Sequence, residues 1–525
     1  MTRESTTTLV GQSMMFRFEG PVFTAGAQEA FREIRPGGVI FFGDNITSRT
    51  QIHALTAELR DHAAKLGMPP LFIAADQEGG IVSRFSPDMT TVPGAMALSA
   101  TGELADIRTS ARITGEQLAA VGINTNFAPV VDVNNNPVNP VIRTRSFGDT
   151  VEQVIAGSLA AIDGLNDAGI IGTVKHFPGH GDTSVDSHLG LPVVNHSRER
   201  LDAVELAPFR AAIAAGVPGV MTTHILFPEL DQDPATLSRA ILTGVLRNDL
   251  GFDGVIFTDS LSMAAIEARY GHGDAAIRCK LAGVDVLEAN ESIAHQRSRF
   301  HALIDAARDG TVPLAIFERT VERLVALRSR FAIGRDPGPL GGADPAWDTT
   351  AREIAARAIV ALPEGGFLPI RPDANLGVID FQRLRATEAE DPFNRAGVFR
   401  TAAMETFTNA RVVTLGNTPR QEEIDEAISL ASDVETLVVM TRDAALNPNQ
   451  VEIGTQAISR AGEETRIIHV ALRGPYDRGI FGDVDATILT FGDPAVTLRV
   501  LPGALGGATS ITARLPIRLG GATDR

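Results

Sequence analysis

Short apolar runs alternate with longer amphipathic stretches over the first 333 residues of the 525-residue chain. Eight apolar runs have the length and composition of buried β-strands: residues 9–16, 38–42, 71–75, 125–131, 172–174, 219–223, 254–258 and 284–287. Six intervening stretches carry the period of a helix: residues 50–66, 103–121, 151–168, 198–215, 240–250 and 293–308. Repeated strand–helix units favour an α/β fold with a parallel sheet, and these eight runs predict a (β/α)8 TIM-type barrel over residues 1–333.

A second pattern begins after residues 334–346, GRDPGPLGGADPA, which are rich in glycine and proline and lack a hydrophobic period. This composition is typical of a linker. Beyond it, amphipathic stretches and apolar runs alternate again: residues 348–361, 422–431 and 451–461 for the former, and 376–379, 411–415, 436–440, 466–471 and 486–489 for the latter. Their alternation predicts that residues 347–525 form a smaller α/β sandwich domain.

Charge and composition narrow the class of protein. The chain has 64 acidic and 47 basic residues and a formal charge of −17, which argues against nucleic-acid and membrane partners because their phosphates are anionic. The single cysteine, Cys279, excludes an intramolecular disulfide and a cysteine-cluster metal site. Because the first residues lack the apolar core of a signal peptide and no apolar run reaches about 18 residues, we expect a cytoplasmic location.

Ionisable residues follow five of the predicted strands at the point where each apolar run stops. They are Asp76 after LFIAA, Asp132 after NFAPVV, Lys175 and His176 after IIGTV, His224 after GVMTT, and Asp259 after GVIFT. The carboxyl ends of barrel strands meet at one mouth, where barrel enzymes gather their substrate-binding and catalytic groups. The strand ends therefore predict a functional site at that mouth.

The segment 175–188, KHFPGHGDTSVDSH, places three of the chain's 11 histidines in a loop rich in glycine, proline and serine. Asp186 and His188 lie two residues apart within it. A carboxylate at that spacing can accept a hydrogen bond from one ring nitrogen, which orients the imidazole and raises its basicity. This D-x-H step is a candidate acid/base pair.

Two other interpretations of the same loop stay open. One is a metal site, since four side chains are possible ligands: His176, His180, Asp182 and His188. Pro178 and Gly179 disfavour the helix on which paired histidine ligands commonly lie, so we predict no metal. The other is a solvated loop whose histidines have no chemical role.

Asp259 closes the run GVIFT just before the apolar segment LSM. A carboxylate at a barrel mouth with apolar neighbours can attack an electrophilic carbon. Alternatively, Asp259 or Ser260 can cap a helix that follows. Spacing alone does not decide between the nucleophile and the cap.

These motifs resemble glycoside hydrolase family 3, and within it the β-N-acetylglucosaminidase branch. The resemblance runs over residues 37–332 and rests on the segments IAADQEGGIVSRF, NFAPVVDVNNNPVNPVIRTRSFGD, KHFPGHGDTSVDSH, VMTTHI and LGFDGVIFTDSLSM. It implies a retaining, two-step displacement with Asp259 as the nucleophile and His188, paired with Asp186, as the acid/base. It also assigns the sugar hydroxyls of the first subsite to four residues: Asp76, Arg145, Lys175 and His176. No cofactor is implied.

Three departures from the branch stand out. In VIRTRSFG, Arg143 occupies a position where glycine is common, so the choice of Arg145 over Arg143 rests on the SFG that follows it. Ser260 follows the implied nucleophile where an acidic or small residue is frequent. Many relatives in the branch consist of the barrel alone, whereas this chain continues beyond the linker.

The resemblance predicts an exo-acting enzyme that removes terminal N-acetylglucosamine from cell-wall fragments or chito-oligosaccharides. Short substrates are favoured because Trp347 is the only tryptophan, which leaves no sign of an aromatic platform for long polysaccharides. Phosphorolysis is an alternative, since a neutral imidazole repels inorganic phosphate less than a carboxylate does. A β-glucosidase, whose acid/base would be a glutamate of the second domain, and a non-catalytic sugar-binding protein are the others.

Overall fold

The computed structural model describes residues 3–85, 88–185, 190–267, 269–363, 368–382, 390 and 397–519. Within these ranges, no helix is both long and apolar enough to cross a membrane. The chain forms one eight-stranded sheet and one six-stranded sheet, with helices between the strands of each. The predicted α/β class is confirmed.

The eight-stranded sheet closes into a barrel. Its strands are β1 (Met14–Phe16), β2 (Gly38–Phe41), β3 (Phe72–Ala75), β4 (Thr125–Asn126), β5 (Ile171–Phe177), β6 (Gly219–Thr222), β7 (Val255–Phe257) and β8 (Leu287–Glu288). The strands follow chain order around the barrel, all neighbours are parallel, and β1 pairs with both β2 and β8. A parallel bridge between Phe257 and Val286 joins β7 to β8. All carboxyl ends therefore meet at one mouth.

The barrel strands are buried on both faces, which explains why each is a continuous apolar run rather than an alternating one. Alternate residues such as Ile40 and Phe257 form a cluster inside the barrel, while their neighbours, such as Val39 and Ile256, pack with the surrounding helices. Gly38 permits close packing of the strands, because a Cβ there would lie 2.4 Å from the carbonyl oxygen of Phe72.

Helices surround the barrel sheet. They are α1 (Arg3–Gly11), α2 (Ala25–Ile34), α3 (Arg49–Lys65), α4 (Ala95–Ala100), α5 (Leu104–Ala120), α6 (Val151–Asp167), α7 (Arg198–Ala203), α8 (Ala207–Ala214), α9 (Ala264–Glu267), α10 (His272–Ala282), α11 (Ile293–Asp309) and α12 (Leu314–Arg330). Residues Ala240–Asp249 add a helix with π-type hydrogen bonding. Ser48, Thr150 and Ser292 begin α3, α6 and α11, since each side chain accepts a hydrogen bond from the backbone N–H three residues later.

Two predicted elements differ from the structure. The run 9–16 is predicted as one strand, but its first residues belong to α1, which packs against α11 and α12, and only Met14–Phe16 joins the sheet. The stretch 198–215 is predicted as one helix, but it is divided into α7 and α8. Pro208, in the first turn of α8, lacks the N–H that a continuous helix would need at that position.

The C-terminal unit, residues 345–519, contains the second sheet. Its elements are α13 (Pro345–Arg357), β9 (Val360–Leu362), β10 (Leu376–Phe381), α14 (Val398–Thr406), β11 (Ala410–Leu415), α15 (Gln421–Ala431), β12 (Thr436–Thr441), α16 (Pro448–Arg460), β13 (Arg466–Ala471), β14 (Ala486–Leu489) and α17 (Ala495–Leu505). The strand order is β11-β10-β12-β13-β14-β9, and β9 runs antiparallel to β14 while the other neighbours are parallel.

Helices cover both faces of this sheet. Val438 of β12 belongs to a cluster with residues of α14 and α17, whereas the next residue, Val439, packs with residues of α15 and α16. This alternation follows from the two-residue period of a strand. The predicted α/β sandwich is confirmed, and we propose residues 334–346 as the linker, although α13 already begins at Pro345.

Charged side chains are buried at the carboxyl edge of the second sheet. Arg442, which follows β12, donates to Asp380 at 2.6 Å and to Asp493 at 2.8 Å. Arg473, which follows β13, donates to the other oxygen of Asp493 at 3.0 Å and to Glu390 at 2.7 Å. Both guanidinium groups are fully buried, and their charges are tolerated because carboxylates surround them.

The same edge faces the barrel mouth. Asp443 pairs with Arg143 at 2.5 Å, and Asn134 Nδ2 donates to Tyr476 Oη at 2.7 Å. Next to these polar contacts, α4 packs against Phe491. The loops that follow β4 are thus held between the barrel and the C-terminal unit.

We predict that Asp493→Asn destabilises the C-terminal unit by about 3–5 kcal/mol, because two buried guanidinium groups lose a shared carboxylate. Urea unfolding, followed by circular dichroism and by fluorescence of Trp347, whose Nε1 donates to Glu116 of the barrel, measures the effect. The matched control is Glu423→Gln, which removes an exposed ion pair with Arg420 and is expected to leave the unfolding midpoint unchanged. Equal midpoints for all three proteins would contradict the prediction.

Candidate active site

A cavity opens at the carboxyl ends of the barrel strands. It is lined by Phe42, Asp76, Glu78, Val82, Arg84, Val141, Arg145, Lys175, His176, His180, Asp259, Ser260, Glu288 and Asn290. Among the described residues, the C-terminal unit contributes none of this lining. Five residues predicted from the sequence therefore share one cavity: Asp76, Arg145, Lys175, His176 and Asp259. The other two predicted residues, Asp186 and His188, lie outside the described ranges.

Lys175 lies at the end of β5 between two carboxylates. Its Nζ is 2.6 Å from Asp76 Oδ1 and 2.8 Å from Glu78 Oε1. Burial by itself lowers the pKa of Lys175, but the charges of Asp76 and Glu78 outweigh burial and raise it. The side chain is therefore an ammonium, and its two contacts leave one N–H donor for a ligand.

Arg145 forms a two-pronged ion pair with Glu78. Arg145 Nε donates to Glu78 Oε2 and Nη2 donates to Oε1, both at 2.8 Å. Burial favours the neutral form of Glu78, but Arg145 and Lys175 outweigh it and hold the pKa of that carboxyl far below its usual range. Arg143, two residues earlier, turns away from the cavity toward Asp443. Glu78 is not predicted as a site residue from the sequence, although it follows Asp76 by two positions just beyond the end of β3.

His176 is oriented by Asp132. The ring Nδ1 lies 2.7 Å from Asp132 Oδ2, and Arg145 Nη2 lies 3.4 Å from the ring Nε2. Since a guanidinium only donates, Nε2 accepts, and the ring proton on Nδ1 is donated to Asp132. Asp132 also accepts from the backbone N–H groups of His176 and His180. Asp132 is thus a positioning residue, which the polar end of its predicted strand already marked.

Neighbouring polar side chains hold the backbone of His180 and Gly181 and the ring of His180 in place. Asn139 Nδ2 donates to the carbonyl oxygens of His180 at 2.8 Å and Gly181 at 2.9 Å, and Thr183 Oγ1 lies 3.1 Å from His180 Nδ1. Burial and the neighbouring His176 lower the pKa of His180 to about 4, so the imidazole is neutral at neutral pH. The beginning of the histidine-rich loop is therefore a fixed part of the cavity wall.

Asp259 follows β7 and is half-buried at the mouth. Its Oδ1 accepts from the Ser260 N–H at 2.7 Å, and His224 Nε2 lies 2.8 Å from the Ser260 carbonyl oxygen. His224 therefore supports the loop after Asp259 and does not line the cavity. The next helix, α9, begins only at Ala264, so the interpretation of Asp259 or Ser260 as its N-cap is wrong.

Glu288 is a cavity residue that the sequence analysis missed. The predicted strand ended at residue 287, whereas β8 ends at Glu288, so the acidic residue closes an apolar run as Asp259 does. Asn290 Nδ2 donates to Glu288 Oε1. Burial, together with the charges of Asp76 and Asp259, raises the pKa of this carboxyl well above its ordinary value.

Of the four loop residues considered as metal ligands, His176 is held by other groups and His188 lies outside the described residues. Both ring nitrogens of His176 have partners, Asp132 and Arg145, and Asp182 Oδ2 lies 2.6 Å from His196 Nε2. In the described part of the chain, two groups of histidines and carboxylates come close together: Asp182 with His196 and Glu205, and Glu267 with His272 and His295. Neither group includes His176 or His180.

The chain is similar in sequence and in structure to known proteins. The family model described as glycosyl hydrolase family 3 N terminal domain matches residues 9–327. The chain is 32% identical over 507 residues to beta-hexosaminidase A of Pseudoalteromonas piscicida, covering 86% of this chain and 82% of that protein. It is 30% identical to a Cellulomonas fimi protein named beta-N-acetylglucosaminidase/beta-glucosidase, covering 85% and 83%. A solved glycoside hydrolase family 3 beta-N-acetylglucosaminidase from Paenibacillus sp. str. FPU-7 is 35% identical, with a TM-score of 0.92 over 98% of both chains.

We predict that Asp132→Asn lowers the stability of the barrel by about 1–3 kcal/mol at neutral pH, because it removes the charge that three buried N–H groups contact. Burial tends to raise the pKa of Asp132, but His176 outweighs it and holds the pKa below its usual value. The stabilisation is therefore present above the ordinary carboxyl pKa and is lost as the pH falls through the folded pKa.

Thermal unfolding of both proteins between about pH 7 and pH 3 checks the prediction, and the difference is expected to shrink toward the acidic end. The control is Asp305→Asn, which removes an exposed carboxylate 3.7 Å from Arg308. Its midpoint should follow the wild type at every pH. A difference between wild type and Asp132→Asn that does not vary with pH would show that the carboxylate charge is not what matters.

Proposed function

The chain belongs to glycosyl hydrolase family 3, and on that basis we propose that it is a retaining exo-β-N-acetylglucosaminidase. The observation that carries the proposal is the presence of Asp259 in one cavity with Asp76, Arg145, Lys175 and His176. That cavity contains several side chains that can form hydrogen bonds with a sugar. It also contains the carboxylate of Asp259, which can act as a nucleophile. The names of the similar proteins from Pseudoalteromonas, Cellulomonas and Paenibacillus support an acetamido sugar as the substrate.

The ion pairs fix the charge and the orientation of the proposed sugar-binding groups. Lys175 and Arg145 are held as cations that donate, and Asp76 accepts. A sugar hydroxyl both donates and accepts, so it matches such a mixed surface. Because these side chains are already oriented by one another, little of the binding energy is spent on ordering them.

In the proposed reaction, Asp259 attacks the anomeric carbon. A bond forms between its carboxylate oxygen and that carbon while the bond to the leaving oxygen breaks, and the acid/base gives the leaving oxygen a proton. Water then attacks the same carbon, passes a proton to the acid/base and releases Asp259. Two displacements at one carbon retain the β configuration.

We assign the acid/base role to His188 and its orientation to Asp186. Both residues lie outside the described ranges, so this assignment rests on the D-x-H step and on the family resemblance. The described start of the same loop supports it, since His180 lines the cavity and Asn139 binds the backbone there. No described residue of the C-terminal unit lines the cavity, which disfavours the β-glucosidase alternative that draws its acid from that unit.

Short glycans fit the described cavity. Phe42 is the one phenyl ring among the described lining residues, so no aromatic platform for a long chain is present there. Cell-wall fragments and chito-oligosaccharides both meet this requirement. A cytoplasmic location, which stays a prediction, favours the wall fragments.

We predict that Asp259→Ala lowers kcat for 4-nitrophenyl N-acetyl-β-glucosaminide by about three orders of magnitude or more, because the covalent intermediate cannot form. The control is Asp253→Asn, an exposed acidic residue at the opposite end of β7, which is expected to keep wild-type activity. The matching glucoside is assayed in parallel. Activity of Asp259→Ala within about tenfold of wild type would refute the nucleophile assignment, and equal turnover of the glucoside would refute the substrate class.

The same assay, run with and without phosphate, identifies the acceptor. We expect free N-acetylglucosamine as the product under both conditions, measured by mass spectrometry. N-acetylglucosamine 1-phosphate as the main product would change the assignment from hydrolase to phosphorylase. Binding of N-acetylglucosamine without turnover of any substrate would instead favour a sugar-binding protein.

We predict that Arg145→Met raises KM by about 10- to 100-fold, because it removes a cavity donor and leaves Glu78 with one cation fewer. Arg143→Met is a matched control two residues away whose side chain meets Asp443 instead. Arg143→Met should lower the unfolding midpoint while KM stays within about threefold of wild type. The reverse pattern of KM changes would transfer the sugar-binding role to Arg143.

A further inference from the structure

Glu288 lines the proposed sugar-binding cavity but takes no part in the reaction described above. Its backbone N–H donates to Thr258 Oγ1 at 2.8 Å, which fixes the end of β8 beside the strand that carries Asp259. The residue is 3% exposed. Asn290 contacts Oε1, whereas Oε2 is buried and has no hydrogen-bond partner among the described residues. A buried polar atom without a partner, next to a cavity, is placed to bind a ligand atom.

Charge balance favours a neutral Glu288. The cavity contains four carboxyl groups, Asp76, Glu78, Asp259 and Glu288, three cationic groups, Arg84, Arg145 and Lys175, and two imidazoles, His176 and His180. Arg145 and Lys175 contact Glu78 and Asp76, and Arg84 Nη2 is 3.9 Å from Asp76. Within the described ranges, no basic side chain lies within ion-pair distance of Glu288. An ionised Glu288 would therefore add a buried, uncompensated charge.

The electrostatic surroundings agree with this balance. Burial raises the pKa of Glu288, and the charges of Asp76 and Asp259 raise it further. The hydrogen bond from Asn290 and the charge of Lys175 act in the opposite direction but are outweighed. Glu288 is thus a carboxylic acid under conditions in which an exposed glutamate is a carboxylate.

We propose that Glu288 is a substrate-binding residue that acts as a neutral carboxylic acid, donating a hydrogen bond from Oε2 to an oxygen of the sugar bound against Asp259. The inference rests on the proposed glycosidase function and adds one residue to its first subsite. A protonated carboxyl can donate as well as accept, whereas a carboxylate only accepts. The neutral acid also places no negative charge next to the proposed nucleophile.

This role makes sugar binding depend on pH. Once Glu288 loses its proton, it can no longer donate, so affinity falls as the pH rises through its pKa. The effect belongs to the free protein, so it affects product affinity and kcat/KM, whereas ionisation of the acid/base in the bound state affects kcat. The other titratable and charged groups that face the same cavity are Asp76, Glu78, Arg84, Arg145, Lys175, His176, His180 and Asp259.

The test is calorimetric titration of the protein with N-acetylglucosamine from mildly acidic to alkaline pH. The wild type is expected to lose affinity as the pH rises through the raised pKa of Glu288. Glu288→Gln, whose amide donates at every pH, should bind about three- to tenfold more weakly than the protonated wild type but without this loss at rising pH. Glu288→Ala should bind about 10- to 100-fold more weakly throughout. Glu78→Gln is the contrasting variant, since that carboxylate is ionised, and it should weaken binding while keeping the loss at rising pH.

A second measurement does not depend on activity. The infrared difference spectrum between wild type and Glu288→Gln, recorded at a pH above the ordinary carboxyl pKa and below the raised one, should contain the carbonyl stretch of a protonated carboxylic acid. Because folding raises the pKa of this acid, wild-type stability should fall as the pH rises from the ordinary carboxyl pKa to the raised value. Glu288→Gln should lack this decrease.

The outcomes separate the two proposals. If wild type hydrolyses the acetamido substrate but Glu288→Gln loses affinity at rising pH as the wild type does, or the infrared band is absent, the role of Glu288 is wrong and the glycosidase stands. If wild type neither binds N-acetylglucosamine nor turns over the substrate, the proposed function itself fails. A Glu288→Ala protein that does not fold leaves the Glu288→Gln titration and the spectrum to decide.

Discussion

The carboxylate of Glu78, held by Arg145 on one side and Lys175 on the other, is the contact on which the rest of the barrel mouth depends. All three side chains are buried, where a single charge is strongly unfavourable and a compensated group is tolerated. Lys175 extends the network to Asp76, and Arg145 extends it to His176. Side chains from the loops after β3 and β4 and from β5 therefore orient one another.

The barrel and the C-terminal unit share one arrangement of charged residues, but the arrangement has a different result in each. In both sheets, charged residues collect at the carboxyl ends of parallel strands, and these two edges face each other across the Arg143–Asp443 pair. In the C-terminal unit, Arg442 and Arg473 form ion pairs with carboxylates of that unit. In the barrel, the network leaves an open cavity with Asp259 and Glu288 on its other side. The short turn that carries both Arg143 and Arg145 thus belongs to the interface at one end and to the cavity at the other.

Much of the fold was predictable because its signals are local. Strands buried on both faces must be apolar throughout, and amphipathic helices between them must repeat every three to four residues, so the barrel and the sandwich were both recognised. The errors came where contacts between distant elements decided the outcome. The run 9–16 is apolar enough for a strand, yet its first half forms α1 because α11 and α12 cover it.

For the site, the sequence by itself determined which side chains end the barrel strands, and this placed Asp76, Lys175, His176 and Asp259 at one mouth. It did not determine which neighbours complete the charge balance. Glu78, Asp132 and Glu288 are ordinary acidic residues in the sequence, and their states differ only through what surrounds them: two cations, a histidine with backbone N–H groups, and two other carboxylates. The sequence determines the type of each residue. Its charge and orientation depend on desolvation and on partners far away in sequence, and only the tertiary structure brings these partners together.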